Sequence, residues 1–167
     1  RDLKPANIML DGRGRVRITD FGLAVAIDAK PFENDVSGTP AYMAPEVALA
    51  SPDVDGRADI YSLGCVAYFL LTGQIVFTAD SAIAIALAHV NDQPVPPSAR
   101  SSFTIPGRLD ALILQCLAKD PGERPASAVD LANRLAGTVL EDAWTADAAQ
   151  AWWDQHRINE RKGSGGG

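Results

Sequence analysis

Between Arg57 and Thr72 the chain puts apolar side chains on nearly every face of one helical stretch: Ile60, Leu63, Cys65, Val66, Tyr68, Phe69, Leu70 and Leu71. A surface helix confines such residues to a stripe, whereas a helix apolar all round belongs inside a larger fold. The stretch therefore predicts a fully buried central helix, closed by Gly73 as its C′ residue, with other elements wrapped around it. Most of those elements also read as helices. Residues 108–118 carry Leu109, Leu112, Ile113, Cys116 and Leu117 at i, i+3, i+4, i+7 and i+8, a one-sided pattern stopped by Pro121. Residues 81–90 form another, ended by Pro94-Val95-Pro96-Pro97. Ser127-Ala128-Val129-Asp130 is a capping box with Asp in place of Glu, and opens a helix to Ala136. Thr145 caps a last helix through Trp152 and Trp153 to Ile158.

The N-terminal part has a different period. Residues 6–10 and 15–19 suit two short strands around Asp11-Gly12-Arg13-Gly14, a hairpin turn signal. Such a hairpin places Asn7 at the mouth of one strand and Asp20 at the end of the other, so two oxygen ligands face one cleft. Residues 23–43 keep no period, and a loop that long in a compact domain is generally functional.

Three motifs follow one another here: Arg1-Asp2-Leu3-Lys4-Pro5-Ala6-Asn7, then Asp20-Phe21-Gly22, then Gly38-Thr39-Pro40-Ala41-Tyr42-Met43-Ala44-Pro45-Glu46. Alone, Asp20-Phe21-Gly22 is a strand-end turn. Together, these residue types suit phosphoryl transfer. That chemistry needs a carboxylate to orient the attacking hydroxyl, a cation to offset developing charge, and hard oxygens for Mg²⁺.

The ordered set resembles the catalytic half of a eukaryotic-type (Hanks-type) serine/threonine protein kinase of bacterial kind, over nearly all of residues 1–160. The resemblance implies a mainly α C-lobe, a helical bundle around a buried central helix, with a small β-hairpin carrying the catalytic and metal residues. It divides the chain into residues 1–140 as the C-lobe, 141–160 as a helical extension packed on it, and 161–167 as a flexible Gly/Ser tail or linker. The chain starts one residue after the place where such kinases carry a His. The β-rich N-lobe, with its Gly-rich loop and strand lysine, is accordingly expected to be absent.

By resemblance Asp2 is the catalytic base, Lys4 reaches the transferring phosphate, and Asn7 and Asp20 hold Mg²⁺ (or Mn²⁺) on ATP. Thr39 bonds to Asp2 and Lys4 and, with Lys4, indicates Ser/Thr rather than Tyr as acceptor in a protein substrate. Phe21 packs under the cleft and Gly22 gives the backbone freedom to turn. Glu46 pairs with Arg124 in a buried ion pair. Asp59 accepts hydrogen bonds from the catalytic-loop backbone, besides favouring the helix N-terminus as a first-turn acid. Arg1 commonly receives an activation-loop phosphate in this family. Here the corresponding stretch, Pro31-Phe32-Glu33-Asn34-Asp35-Val36-Ser37, lacks Thr. Glu33 or Asp35 is expected to take the place of the phosphate on Arg1, or else to be solvated, with Ser37 the remaining hydroxyl switch.

Composition narrows the rest. A length of 167 residues with 47% hydrophobic content suits one core. The net charge of −6 argues against nucleic acid or an anionic membrane as partner of this segment, but not against ATP, whose phosphates Mg²⁺ neutralises. The apolar run 63–71 is too short to span a bilayer, which takes about 20 residues. A cytoplasmic location is expected, with membrane anchoring of a longer protein left open. Cys65 and Cys116 read as reduced core thiols. His89 and His156 have no ligand-spaced partners and read as surface or half-buried structural histidines. Trp144, Trp152 and Trp153 are expected to clamp the last helix to the lobe. Asp53 and Asp55 read as solvated charges or caps.

Two rival functions compete. A non-catalytic pseudokinase or scaffold would tolerate losses upstream, yet Asp2, Lys4, Asn7 and Asp20 are all intact. A small-molecule kinase of the aminoglycoside or choline type would not be expected to carry the segment from Gly38 to Glu46.

Overall fold

The computed structural model describes residues 3–11, 14–19, 39–138 and 144–163. In chain order these form an antiparallel hairpin of β1 (Ile8–Leu10) and β2 (Val16–Ile18), then helices α1 (Pro45–Ala48), α2 (Arg57–Thr72), α3 (Ala82–Asn91), α4 (Gly107–Cys116), α5 (Ala128–Ala136) and α6 (Ala146–Gly163). Single 3₁₀ turns at Pro5–Asn7, Thr39–Tyr42, Pro97–Ala99 and Pro121–Glu123 join them. The protein is mainly helical.

α2 runs through the centre and buries Ala58, Ile60, Tyr61, Ser62, Gly64, Cys65, Val66 and Tyr68. Gly73 terminates it at φ 70°, a left-handed conformation that costs glycine little, with its N–H bonded to the Phe69 carbonyl. The expectation of burial on every face fails at the C-terminal turn. Leu70 is 74% exposed, because the elements packed on α2 leave that turn uncovered.

α4 lays Leu112, Ile113 and Cys116 against α2, followed by Leu117. The helices approach closely at Gly64, where a Cβ would come within 2.7 Å of the Cys116 Cβ. Both thiols are free and buried.

Local signals explain the helix ends. The Ser81 side chain accepts from the Ala84 amide and caps α3. Ser127 accepts from the Asp130 amide, while Asp130 accepts from the amide of Ala126. The box has therefore shifted one residue back from its usual Ncap target. Thr145 accepts from Ala148 and caps α6. α6 continues to Gly163, past the expected end at Ile158. Residues 159–162 hold no Gly or Pro to stop the helix.

Two further expectations need correction. His89 is not at the surface but fully enclosed under α2. Of the three tryptophans expected to clamp α6, Trp144 and Trp152 are exposed and only Trp153 is half-buried. Trp152 instead stacks on His156 one turn along the same helix, with ring centroids 3.7 Å apart. Among the described residues no helix is long and apolar enough to cross a membrane.

Candidate active site

Pro5 sets the local geometry at the N-terminal motif. Its fixed φ suits the first position of a helical turn, so Pro5–Asn7 curls into a 3₁₀ turn and the strand starts at Ile8, later than expected. Lys4 stays extended before the turn, and its carbonyl accepts from the Asn7 amide at 3.0 Å. Asn7 is buried, at 6% exposure. Its carbonyl accepts from the Thr19 amide at 2.9 Å, joining the first motif to the residue next to Asp20. The ladder pairs Ile8 with Ile18, Met9 with Arg17 and Leu10 with Val16. Asp11 accepts from the Arg15 amide and from the side chains of Arg15 and Arg17.

Leu3, just before Lys4, lines a groove of about 650 Å³ with Asp59, Ile60, Leu63 and Leu131. The start of α2 and the residue before Lys4 therefore border one groove. Arg1, Asp2, Asp20, Phe21, Gly22, Glu33, Asp35 and Ser37 lie outside the described residues. Thr39 opens the 3₁₀ turn Thr39–Tyr42.

That turn is fastened to the core. Ser62 on α2 donates to the Tyr42 carbonyl at 2.7 Å. Four residues further on, Glu46 in the first turn of α1 receives Arg124. Nη1 and Nη2 of Arg124 lie 2.6 and 2.8 Å from the two carboxylate oxygens. Arg124 also donates to the carbonyls of Arg57, Ala118 and Lys119, and its guanidinium lies 4.9 Å from the Tyr61 ring centroid. All five guanidinium N–H groups are used.

A second buried network was not legible in the sequence. Tyr61 on α2 and Nδ1 of His89 on α3 share a hydrogen bond of 2.9 Å. Phe77 meets the imidazole edge-on, and the Lys119 ammonium lies 4.7 Å from the Phe77 ring centroid while donating to the His89 carbonyl. Burial, and then the nearby Lys119 charge, lower the His89 pKa to about 4, so the ring is neutral. The signal available was a pair of hydroxyl-bearing residues, Tyr61 and Ser62, next to the apolar run of α2. Burial also pushes up both thiols, Cys116 to about 11. Asp55 is no idle surface charge: hydrogen bonds from Arg57 hold its carboxyl down at about 2.

The arrangement bonds the first motif to the second hairpin strand at Asn7 and Thr19, and fastens the segment 39–46 to the helical core. Residues 1–144 match the protein kinase domain family. The serine/threonine-protein kinase PknB of Mycolicibacterium smegmatis is 44% identical over 163 residues, 95% of this chain and 25% of that protein. PknB of Mycobacterium tuberculosis is 44% identical over 135 residues, 78% of this chain and 21% of that protein. PknB of Mycobacterium leprae is 44% identical over 134 residues, with the same coverage. The chain thus spans a quarter or less of the length of these curated relatives.

Proposed function

The chain belongs to the protein kinase family, and on that premise we propose that residues 1–140 are the C-lobe of a catalytic domain that transfers the ATP γ-phosphoryl group to Ser or Thr of a protein substrate. α6 is then an extension of that lobe, and residues after it a linker or tail. An N-lobe encoded upstream completes the ATP cleft, and the module works in the cytoplasm. The observation that carries this reading is the buried Asn7, whose carbonyl is bonded to the amide of Thr19. It couples the first motif to the residue that precedes the second, and phosphoryl transfer needs the two motifs side by side.

Asp2 orients the acceptor hydroxyl and takes its proton. Lys4 lies against the transferring phosphoryl group, and the Thr39 hydroxyl holds Asp2 and Lys4 in register. The amide oxygen of Asn7 and the carboxylate of Asp20 form a hard donor set that fits Mg²⁺ or Mn²⁺. The metal, when bound, offsets triphosphate charge. Phe21 and Gly22 shape the turn after Asp20. Asp59 accepts from the backbone near Asp2. Glu46 and Arg124 hold the segment that presents the substrate. Arg1 pairs with Glu33, or with Asp35, in place of a phosphate, and Ser37 is left as a modifiable hydroxyl.

The test is phosphate transfer by the catalytic domain expressed with its contiguous upstream sequence. Asp2→Asn should lower turnover by about 10²- to 10⁴-fold, the usual contribution of a positioned base. Turnover equal to the parent's would overturn the assignment. Residues 1–167 alone should transfer no phosphate, because the phosphate-positioning elements lie upstream.

A further inference from the structure

The hairpin that leads from Asn7 toward Asp20 is poorly supported by its own residues. Each strand has three residues, and Met9, Leu10, Val16 and Ile18 are all exposed. A two-stranded hairpin by itself is at best marginally stable in water. Its tip, however, has a tertiary contact. Gly14 turns the chain at φ 71°, and its N–H bonds to the Asp11 carbonyl at 2.8 Å. A Cβ at Gly14 would overlap the methyl group of Ala149 and lie 3.7 Å from Nε1 of Trp144. Ala149 is 2% exposed and is the only buried residue of α6 among those described there. A helix whose other described residues are exposed or half-buried thus seats one small side chain on the turn, where glycine alone leaves room.

We propose that α6 is a brace for the catalytic hairpin, with Ala149 and Gly14 as positioning residues for Asn7. The contact holds the tip. The ladder then carries that constraint to the Thr19 amide, which is bonded to the Asn7 carbonyl. Displacing α6 loosens the frame from which Asn7 presents its amide oxygen. The C-terminal extension thereby becomes a handle on metal binding from outside the cleft. The brace stands on geometry alone; its consequence for metal rests on the role proposed above for Asn7.

The test uses the catalytic domain with its upstream sequence. Ala149→Leu oversizes the contact and leaves the turn sequence intact. Hydrogen exchange at the Asp11 and Thr19 amides should accelerate about tenfold or more, as local opening does when a tight contact is overpacked. Exchange within α2 should stay at the parent rate, which separates loosening from global unfolding. The Mn²⁺ concentration for half-maximal phosphate transfer should rise severalfold, with the rate at saturating Mn²⁺ largely retained. Gly14→Ala should act in the same direction, and Ala149→Gly in that background should partly restore the parent values by removing the colliding methyl group. Unchanged exchange in Ala149→Leu overturns the brace. Faster exchange with an unshifted Mn²⁺ requirement overturns the positioning of Asn7. Faster exchange in a domain that transfers no phosphate at all supports the brace and counts against the proposed function instead.

Discussion

Arg124 holds Glu46 across 78 positions of sequence, with both terminal nitrogens of the guanidinium on the two carboxylate oxygens. None of the Arg124 side chain is exposed, and only 11% of the Glu46 side chain is. The pair joins the start of α1, just past the segment 39–44, to the loop behind α4. The planar five-donor fork is what makes this possible, since three carbonyls are satisfied by the same group.

Glu46→Ala should therefore destabilise the protein by about 3–5 kcal/mol, because it strands a buried cation. Glu123→Ala, at an exposed position of the neighbouring turn, should stay within about 0.5 kcal/mol of the parent. Arg124→Lys should behave more like Glu46→Ala than like Glu123→Ala, since an ammonium cannot reproduce the fork. Urea melts decide this, and equal midpoints for Glu46→Ala and Glu123→Ala would refute the role of the pair.

His89 should make the protein acid-sensitive. Its folded pKa of about 4 lies below the ordinary 6.5, so the unfolded chain binds the proton more readily. Stability from this group is fully present above about pH 6.5 and is lost as pH falls toward 4, at up to about 1.4 kcal/mol per pH unit. His89→Gln keeps a polar side chain able to meet Tyr61 but cannot titrate. Melting temperatures from pH 7 to 4.5 should fall less steeply in His89→Gln than in the parent. Parallel slopes would exclude His89 as the sensor.

Gly64→Ala should destabilise even though alanine is the better helix former by about 1 kcal/mol. The new methyl group would lie 2.7 Å from the Cys116 Cβ and 3.3 Å from Leu117 Cδ2. Overpacking of this kind typically costs about 1–3 kcal/mol, which offsets or exceeds the propensity gain. Cys116→Gly should rescue part of the loss. A higher urea midpoint for Gly64→Ala would show that α2 and α4 can move apart freely.

The carboxylates proposed to serve Arg1 make a separate prediction for the catalytic domain with its upstream sequence. Phosphatase treatment should leave transfer activity intact. Glu33→Gln combined with Asp35→Asn should reduce it severalfold, and added salt should reduce the parent's activity in the same direction, as expected of partly exposed ion pairs. Loss of activity on dephosphorylation with no effect of the double substitution would overturn the pairing.

The local architecture could be read from the chain. The bounds of α2 and α5, the caps at Ser127 and Thr145, and the stop at Gly73 all matched, because each depends on residues within about four positions of one another. The motifs also pointed to the kinase family without any coordinates. Burial was less legible. Leu70 and Phe69 have the same apolar character, yet Leu70 is exposed and Phe69 half-buried, which depends only on where neighbouring elements end. His89 read as a surface or half-buried residue because nothing near it in sequence reveals Tyr61 and Phe77 closing over it from 28 and 12 positions away. Gly14 looked like an ordinary turn glycine. Only the packing of α6 showed that its missing side chain also makes room for Ala149. The sequence alone determined element types, several of their ends and the family, since periodicity, capping and motif order are local properties. The tertiary structure decided which polar groups are enclosed, which apolar ones stay wet and which distant residues touch. Those outcomes depend on excluded volume and desolvation among segments that the order of residues does not bring together.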